Sequence, residues 1–294
     1  MFRASNVTPW LYLLPVLLAV IVWVYEPLGQ AAWLSFYEWD MLPDTAKRYV
    51  GLANYRNLLA LPKLWQALGN TAIYMLGLLP FAVVIPFAIA IHTQDLPAHF
   101  RNIYRVMIFV PMIVAPVVAA AVWRWLLDPA HGLLNRAITS LGFHPVGFLS
   151  DPHVAIWTII FITGWKLVGF ATLIAAAANA AINPALIEAA KLDGASSWAV
   201  IRHIRLPLLS STALLLVTMS LLLGAQWSFV YISALTDGGP LGATTNIYYL
   251  LWDFGFSSGA VGWSAASAVL LFLLFALLAV GLVRLSDRLS FHDN

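Results

Sequence analysis

The sequence predicts an all-α integral membrane protein with six transmembrane helices. Hydrophobic residues make up 62% of its 294 residues and charged residues only 10%, whereas soluble domains carry roughly 25% charged residues. The apolar residues are also gathered into long uninterrupted runs. The approximate bounds of these runs are residues 10–36, 67–91, 103–127, 154–180, 208–235 and 261–285. Each is long enough to cross about 30 Å of hydrocarbon as a helix that rises about 1.5 Å per residue.

The segments between the runs are short, so none of them could form a domain with its own core. We therefore expect residues 1–294 to form a single transmembrane domain. Glu26 and Pro27 interrupt the first run. Because proline removes a helical hydrogen bond, this run is expected to kink or to leave the hydrocarbon there.

The distribution of Lys and Arg predicts the orientation, because cytoplasmic loops carry an excess of cations. With the N-terminus inside, the cytoplasmic cations are Arg3, Arg101, Arg105, Lys191, Arg202, Arg205, Arg284 and Arg288. The outer cations, spread over longer loops, are Lys47, Arg48, Arg56, Lys63, Arg124 and Arg136. The density of cations favours both termini inside, which places residues 181–207 in the cytoplasm.

Several kinds of chemistry are absent from the sequence. The net charge is +2, and no basic block could bind the phosphates of a nucleic acid. The chain has no cysteine, which excludes thiolate catalysis and disulfides. No Lys precedes a Ser or Thr, so the chain lacks a phosphate-binding P-loop, and no His begins an H-E-x-x-H zinc motif. We therefore predict no catalytic residue, no metal site and no cofactor on this chain.

Residues 181–207 are a polar stretch between two apolar runs, and they are predicted to form a helix–turn–helix. Asn183 and Pro184 suit the start of a helix. Gly194 suits its left-handed end, because glycine adopts this conformation at no steric cost. Ser196 or Ser197 is expected to cap a second short helix, which Pro207 would end.

The same stretch resembles the E-A-A-x3-G-x9-I-x-L-P signature of ABC-importer permeases. The residues at its fixed positions are Glu188, Ala189, Ala190, Gly194, Ile204, Leu206 and Pro207. The resemblance implies a type I ABC-importer permease fold, in which this segment, with Asp193, docks on a separate ATPase subunit. A solvated helix face would also explain Glu188 and Asp193, but the complete signature favours a protein contact.

A second motif narrows the resemblance. Residues 235–240 read L-T-D-G-G-P, which is similar to the carbohydrate-uptake branch of these permeases, whose transporters import maltose or glycerol phosphate. The resemblance implies alternating access in the inner membrane of a bacterium, surrounded by lipid. It also implies three kinds of partner: a second homologous permease, an ATP-binding-cassette ATPase dimer that holds ATP and Mg, and an extracytoplasmic substrate-binding protein.

Polar residues inside the runs are candidates for the translocation pathway. Lys166 lies near the middle of the fourth run, and Gln226 and Trp227 lie in the fifth. A pathway role for these three is one hypothesis. Alternatively, Lys166 forms an ion pair with the second permease or snorkels to the interface, while Gln226 and Asn179 bridge helices. An ion-coupled secondary transporter or a membrane enzyme would need acidic or metal-binding clusters, which the runs lack.

Overall fold

The computed structural model describes residues 8–42, 44–94 and 96–289, which form fifteen α-helices, five π-helical turns and one two-stranded ribbon. Arg3, one of the predicted cytoplasmic cations, lies outside the described residues. The α-helices are α1 (Thr8–Val20), α2 (Glu26–Leu34), α3 (Ala53–Leu59), α4 (Pro62–Gly77), α5 (Ile85–Gln94), α6 (Ala98–Ile113), α7 (Pro116–Leu126), α8 (Leu133–Ser140), α9 (Ala155–Ala180), α10 (Pro184–Leu192), α11 (Ser197–Val200), α12 (Leu206–Leu208), α13 (Ser210–Tyr231), α14 (Ile247–Trp252) and α15 (Val261–Leu289).

Five helical segments of the described residues are long and apolar enough to cross a membrane. These segments are Trp10–Leu34, Pro62–Gln94, Ala155–Ala180, Ser210–Thr236 and Val261–Arg284. A sixth candidate is the pair His99–Ile113 and Pro116–Leu126, whose two helices meet at a bend of 94°. The number of spans reaches six if this bent pair is one span, and the count of six and the orientation both stay predictions.

Three π turns stand at the same position relative to a proline. In each, a single residue separates the end of the five-residue turn from the proline. The turns are Ile21–Tyr25 before Pro27, Pro80–Val84 before Pro86, and Ile201–Arg205 before Pro207. In each, the residue before the proline donates its N–H to the carbonyl five residues earlier. The wider turn accommodates a ring that would otherwise clash with the carbonyl four residues back.

This arrangement corrects one expectation. Pro207 does not end the second helix of the polar stretch, since it lies inside α12 and the chain turns only at Leu209. The first span continues as a helix through Glu26 and Pro27 to Leu34, and a kink or an exit from the hydrocarbon at these residues stays a prediction.

The third apolar run differs most from its prediction as one continuous helix. Val114 and Ala115 both have extended backbone, with ψ angles of 129° and 135°. Ala115 precedes Pro116, and the ring of a proline disfavours helical geometry in the residue before it. The run 103–127 is therefore broken into α6 and α7.

The chain divides into two compact units, of which one comprises residues 1–64 and 250–274. It contains the ribbon of β1 (Tyr37–Glu38) and β2 (Arg48–Tyr49), which are antiparallel, with Tyr37 opposite Tyr49. The guanidinium group of Arg48 forms an ion pair with Glu38 across the ribbon. This small sheet is an addition to the predicted all-α architecture. Its strands are too short to produce a recognisable alternation of apolar and polar residues in the sequence.

The other unit comprises residues 65–249 and 275–294 and is built around α9. Its core joins side chains of α5, α9 and the start of α13. The buried members of this core are Phe87, Ala90, Ile91, Ala171, Ala175, Ala176, Leu209 and Leu216. Small residues let the helices approach closely: a Cβ atom on Gly169 would lie 2.5 Å from the carbonyl oxygen of Ile108 on α6.

Candidate functional site

Residues 181–207, here called the coupling segment, form the predicted helix–turn–helix. The side chain of Asn183 accepts a hydrogen bond from the N–H of Ala185 at 3.0 Å, and α10 follows. Gly194 ends this helix with a φ of +82°. The N–H of Ala195 then donates to the carbonyl of Ala190 at 2.9 Å, as in the usual left-handed helix end. The predicted start and end of this helix are both confirmed.

The second helix of the segment begins at Ser196, the first of the two predicted caps. Its hydroxyl accepts from the N–H of Ala199 at 3.2 Å. One helical path then leads to the N-terminal end of α13 through α11, the π turn Ile201–Arg205 and α12. The segment is therefore joined to the fifth apolar run by continuous helix apart from the turn at Leu209.

The coupling segment exposes apolar side chains next to its charges. Leu192 is 89% exposed and Trp198 64% exposed, and Leu186 is also exposed. Glu188 and Asp193 are exposed on the same short helix or at its end. Large apolar side chains exposed on a polar segment are typical of a protein contact. The signature does not specify Leu186 or Leu192, so the sequence analysis did not single them out.

The remaining signature residues fall into two groups. Ala189 and Gly194 are exposed and Ala190 is half-buried, so small residues form part of the exposed surface of the segment. The signature residues nearest the span differ in their exposure. They are Ile204 and Pro207, which are half-buried, and Leu206, which is exposed.

Arg205 links the coupling segment to a span. Its side chain is buried, at 5% exposure, and Nη1 donates to the carbonyl of Ile91 on α5 at 3.2 Å. Arg202 lies in the same π turn but is exposed. The cationic side chains of Lys, Arg and His can donate hydrogen bonds to the free carbonyls near a helix C-terminus. Ile91 lies in the last turn of α5. The two arginines, alike in sequence, therefore occupy different environments.

Lys166 is half-buried on α9, and its Nζ donates to the carbonyl of Val114 at the break between α6 and α7. Asn179, near the end of the same helix, is buried and donates to the carbonyl of Ala90 at 3.2 Å. Asn179 thus bridges α9 and α5, as one of the sequence-based alternatives supposed.

Gln226 and Trp227 have different surroundings on α13. Gln226 is exposed, whereas Trp227 is half-buried and meets the ring of Phe170 edge to face, with 6.5 Å between the ring centres. Phe170 follows Lys166 by one helical turn on α9, so both lie on the same face. The structure thus brings Trp227 to the face of α9 that carries Lys166.

The loop between α13 and α14 is held firmly by buried polar groups. Asn246 is fully buried, donates to the carbonyl of Ala225 at 2.7 Å and accepts from the N–H of Tyr249 at 2.9 Å. Asn70 on α4 donates to the carbonyls of Gly242 and Thr245 at 3.0 and 2.9 Å. At the tip of the loop, Leu241 is 89% exposed. The sequence analysis did not indicate these anchors.

A cavity of about 630 Å³ lies in the unit of residues 1–64 and 250–274, between the ribbon and the start of α15. Asp40 lines it and accepts hydrogen bonds from the Thr45 hydroxyl and from the N–H of Leu42. These bonds, the one from Thr45 first, lower the pKa of Asp40 below its usual value. The cavity therefore carries an ionised carboxylate at neutral pH.

Comparison with known protein families identifies the family of this chain. Residues 1–291 match the family described as the inner membrane component of binding-protein-dependent transport systems. The chain belongs to this family. As a member, this permease is a multi-pass inner-membrane protein that works in a transport system with a binding protein, and it is not itself an enzyme.

Curated relatives match the permease over nearly its whole length. It is 30% identical to a probable ABC transporter permease of Pyrococcus horikoshii, over 92% of each chain. It is also 30% identical to the sn-glycerol-3-phosphate transport system permease of Pectobacterium atrosepticum, over 98% of this chain and 96% of the relative. A trehalose/maltose transport system permease of Thermococcus litoralis is 30% identical, over 90% and 88% of the two chains.

Solved structures show the same fold. A chain of a bacterial ABC transporter that imports the acidic polysaccharide alginate superimposes with a TM-score of 0.85 at 23% identity, over 97% of this permease and 96% of that chain. A chain of the MetNI methionine ABC transporter gives a TM-score of 0.57 at 16% identity, over 81% and 99%. The permease therefore has the type I ABC-importer permease fold.

Proposed function

We propose that the chain forms half of the translocation pathway of an ABC importer for a carbohydrate or a sugar-derived polyol. The coupling segment carries this proposal, because it combines the complete signature, an exposed apolar surface and a buried link to a span. The substrate class is supported by relatives that are named for sn-glycerol-3-phosphate and for trehalose or maltose. It is also supported by the L-T-x-G-G-P motif of residues 235–240.

The coupling segment would dock in a cleft of an ATPase subunit that binds ATP and Mg. Glu188, Asp193 and Leu192 offer charge and apolar area for the contact. Ala189, Ala190 and Gly194 have small side chains or none, which permits a close approach. Ile204, Leu206 and Pro207 join the contact surface to the foot of α13.

Closure of the ATPase dimer would move the coupling segment and, through it, the spans. The helical path from Ser197 to Leu208 and the bond from Arg205 to Ile91 give two connections along which such a movement could pass. A central cavity between the two permeases would then open alternately to each side of the membrane. Such a cycle requires that the two states of the permease differ in their affinity for the two arrangements of the ATPase.

A second, homologous permease would complete the pathway, and an extracytoplasmic binding protein would deliver the substrate. We retain Gln226 and Trp227 as pathway residues, since an exposed amide and a partly exposed indole suit the hydroxyls and apolar faces of a sugar. Lys166 was proposed for the same role. Its bond to the carbonyl of Val114 supports a different contribution, which is argued below.

Co-purification in mild detergent tests the assembly. The wild-type chain should bring down an ATPase and a second permease. Leu192→Gln should lose the ATPase, because it replaces exposed apolar surface at the proposed contact. Leu241→Gln is the matched control: Leu241 is equally exposed, at 89%, but lies on the predicted outer side, so this variant should keep the ATPase.

A wild-type chain that purifies without an ATPase, or ATPase loss in both variants, would contradict the proposed assembly. The substrate class has its own test, which is the thermal stabilisation of the partner binding protein by maltose, trehalose and sn-glycerol 3-phosphate. Stabilisation by none of these sugars or polyols would contradict the class without affecting the assembly.

A further inference from the structure

The break between α6 and α7 leaves helical carbonyls without intrahelical partners. The last carbonyls of any helix lack an N–H donor from the next turn. At this break the following backbone is extended at Val114 and Ala115, and Pro116 supplies no N–H at all. In water such carbonyls would be solvated, but a break within an apolar run has little access to water. A donor from elsewhere is therefore needed.

Lys166 supplies that donor from a neighbouring helix. Its Nζ donates to the carbonyl of Val114, the residue that caps the C-terminal end of α6. The C-terminal end of a helix carries partial negative charge, so an ammonium group is favoured there. The bond thus gives the Val114 carbonyl a hydrogen-bond partner within the membrane. It also gives a partner to the charge of Lys166, which is costly to place there.

The packing of α9 against α6 holds the two groups within reach. Gly169, three residues after Lys166, lies so close to α6 that a Cβ atom would come within 2.5 Å of the carbonyl oxygen of Ile108. Only glycine permits this approach. The distance between the two helices is therefore set by backbone contact, independently of the lysine.

The opposite end of α7 is held by a second cation. Arg124 lies in the last turn of α7 and donates to the carbonyl of Ala234. Ala234 belongs to the π turn Ile232–Thr236, where the regular helical hydrogen bonding of α13 ends. The short helix α7 is thus fixed at its start by Lys166 and at its end by Arg124.

We propose that Lys166 is a positioning residue that sets the angle between α6 and α7 by capping the broken end of α6. It contributes to transport through the bend and not through contact with the substrate. The inference rests on the proposed function, but its first readout is a distance that does not depend on transport. What the role requires is a hydrogen-bond donor at this position, whereas contact with an anionic substrate, or an ion pair, requires the charge. Contact with a hydroxyl-rich substrate would leave the bend unchanged in Lys166→Met.

Spin labels on both arms of the bend measure this angle directly. The chain has no cysteine, so cysteines at Ile103 and Trp125, which are 43% and 59% exposed, take labels selectively. Each lies eleven residues from Val114. At about 1.5 Å per residue, the two positions are about 33 Å apart along a straight helix and about 22 Å apart across a near-right-angled bend. The full complex, with cysteine-free partner chains and no nucleotide, is measured in lipid nanodiscs.

Three variants separate donor from charge. In Lys166→Met, which has neither, the distance should broaden and shift towards the straight-helix value, and uptake should be lost. In Lys166→Gln, a neutral donor, the short distance and most of the uptake should remain. Arg136→Met is the control, since it removes an exposed cation from α8, outside the bend, and should leave the 103–125 distance unchanged.

Four results would overturn the inference. The first is an unchanged short distance in Lys166→Met. The second is loss of uptake in Lys166→Gln with the bend intact, which would show that the charge is what matters. The third is failure of the complex to assemble with Lys166→Gln, because a donor alone should suffice, or with Lys166→Met, which would place the lysine in a contact between subunits. The fourth is the same shift in Arg136→Met. Absence of ATP-driven uptake in the wild-type complex would contradict the proposed function and leave the distance test standing.

Discussion

Arg205 donates a buried hydrogen bond to the carbonyl of Ile91 at 3.2 Å, joining the coupling segment to the end of α5. The bond spans 114 positions of the sequence. Within the signature, position 205 is a variable one, so the motif gives no indication of this role. The bond connects a proposed docking surface to the core of α5, α9 and α13, and for this reason it should be more important for coupling than for docking.

Arg205→Met should therefore impair transport more than ATPase binding. The substitution keeps most of the side-chain volume but leaves the Ile91 carbonyl without this donor, and buried groups that lose a partner cost about 1–3 kcal/mol. Co-purification of the ATPase and substrate uptake are measured in parallel. Arg202→Met is the control, because Arg202 lies exposed in the same π turn and its loss should affect uptake little. Equal loss of uptake in both variants would contradict a special role for Arg205.

Gly194→Val should disrupt the coupling segment. Gly194 has a φ of +82° and nothing within 4 Å of the position of a Cβ atom, so the strain comes from the backbone alone. A left-handed conformation costs an ordinary residue roughly 1–2 kcal/mol. We expect ATPase association or transport to be lost while the chain still inserts in the membrane.

Gly142 provides the control for this experiment. It has a φ of +84°, follows the end of α8, and likewise has nothing within 4 Å. Gly142→Val introduces the same backbone strain on the predicted outer side and should leave ATPase association intact. If Gly194→Val behaves like Gly142→Val, the coupling segment is not the element that binds the ATPase.

The orientation can be tested by labelling single cysteines in intact cells. Ser197 lies in the coupling segment and Ser150 in a loop predicted to be outside, and both are exposed. A membrane-impermeant thiol reagent should react with Ser150→Cys and spare Ser197→Cys until the cells are opened. The reverse pattern would overturn the predicted orientation, and with it the docking of a cytoplasmic ATPase at residues 181–207.

Asn246→Ala should destabilise the loop between α13 and α14. The side chain serves both as donor to Ala225 and as acceptor for Tyr249 in a fully buried position, so its loss should cost about 1–3 kcal/mol or more. A lower midpoint of thermal unfolding is expected. Gln66→Ala removes an exposed bond to the carbonyl of Leu241 and should shift the midpoint little; an equal shift would show that burial is not decisive.

The sequence predicted the apolar spans, the polar coupling segment and its left-handed glycine, because these depend on local composition and local backbone preference. It did not predict which prolines would break a helix. Pro27, Pro86 and Pro207 are accommodated by a preceding π turn, whereas the residues before Pro116 become extended. What distinguishes Pro116 is a donor 52 positions away, Lys166, and such a partner is determined by packing.

The candidate site was likewise predictable only in part. The signature identified Glu188, Gly194 and their neighbours, but the exposed apolar surface of Leu186 and Leu192 became visible only in the folded segment. The different environments of Arg202 and Arg205 follow from the helical path through the π turn, which turns one inward and leaves the other at the surface. Their placement near a predicted cytoplasmic end would have suited either role.

The central claim is that this chain transports a sugar or polyol only when a separate ATPase drives it. The most direct measurement is the uptake of a labelled sugar by proteoliposomes that contain this chain, the second permease, the ATPase and the substrate-loaded binding protein. Uptake should require all four proteins and ATP, and it should persist when ion gradients are abolished. Uptake that proceeds without the ATPase and follows an ion gradient would contradict the account.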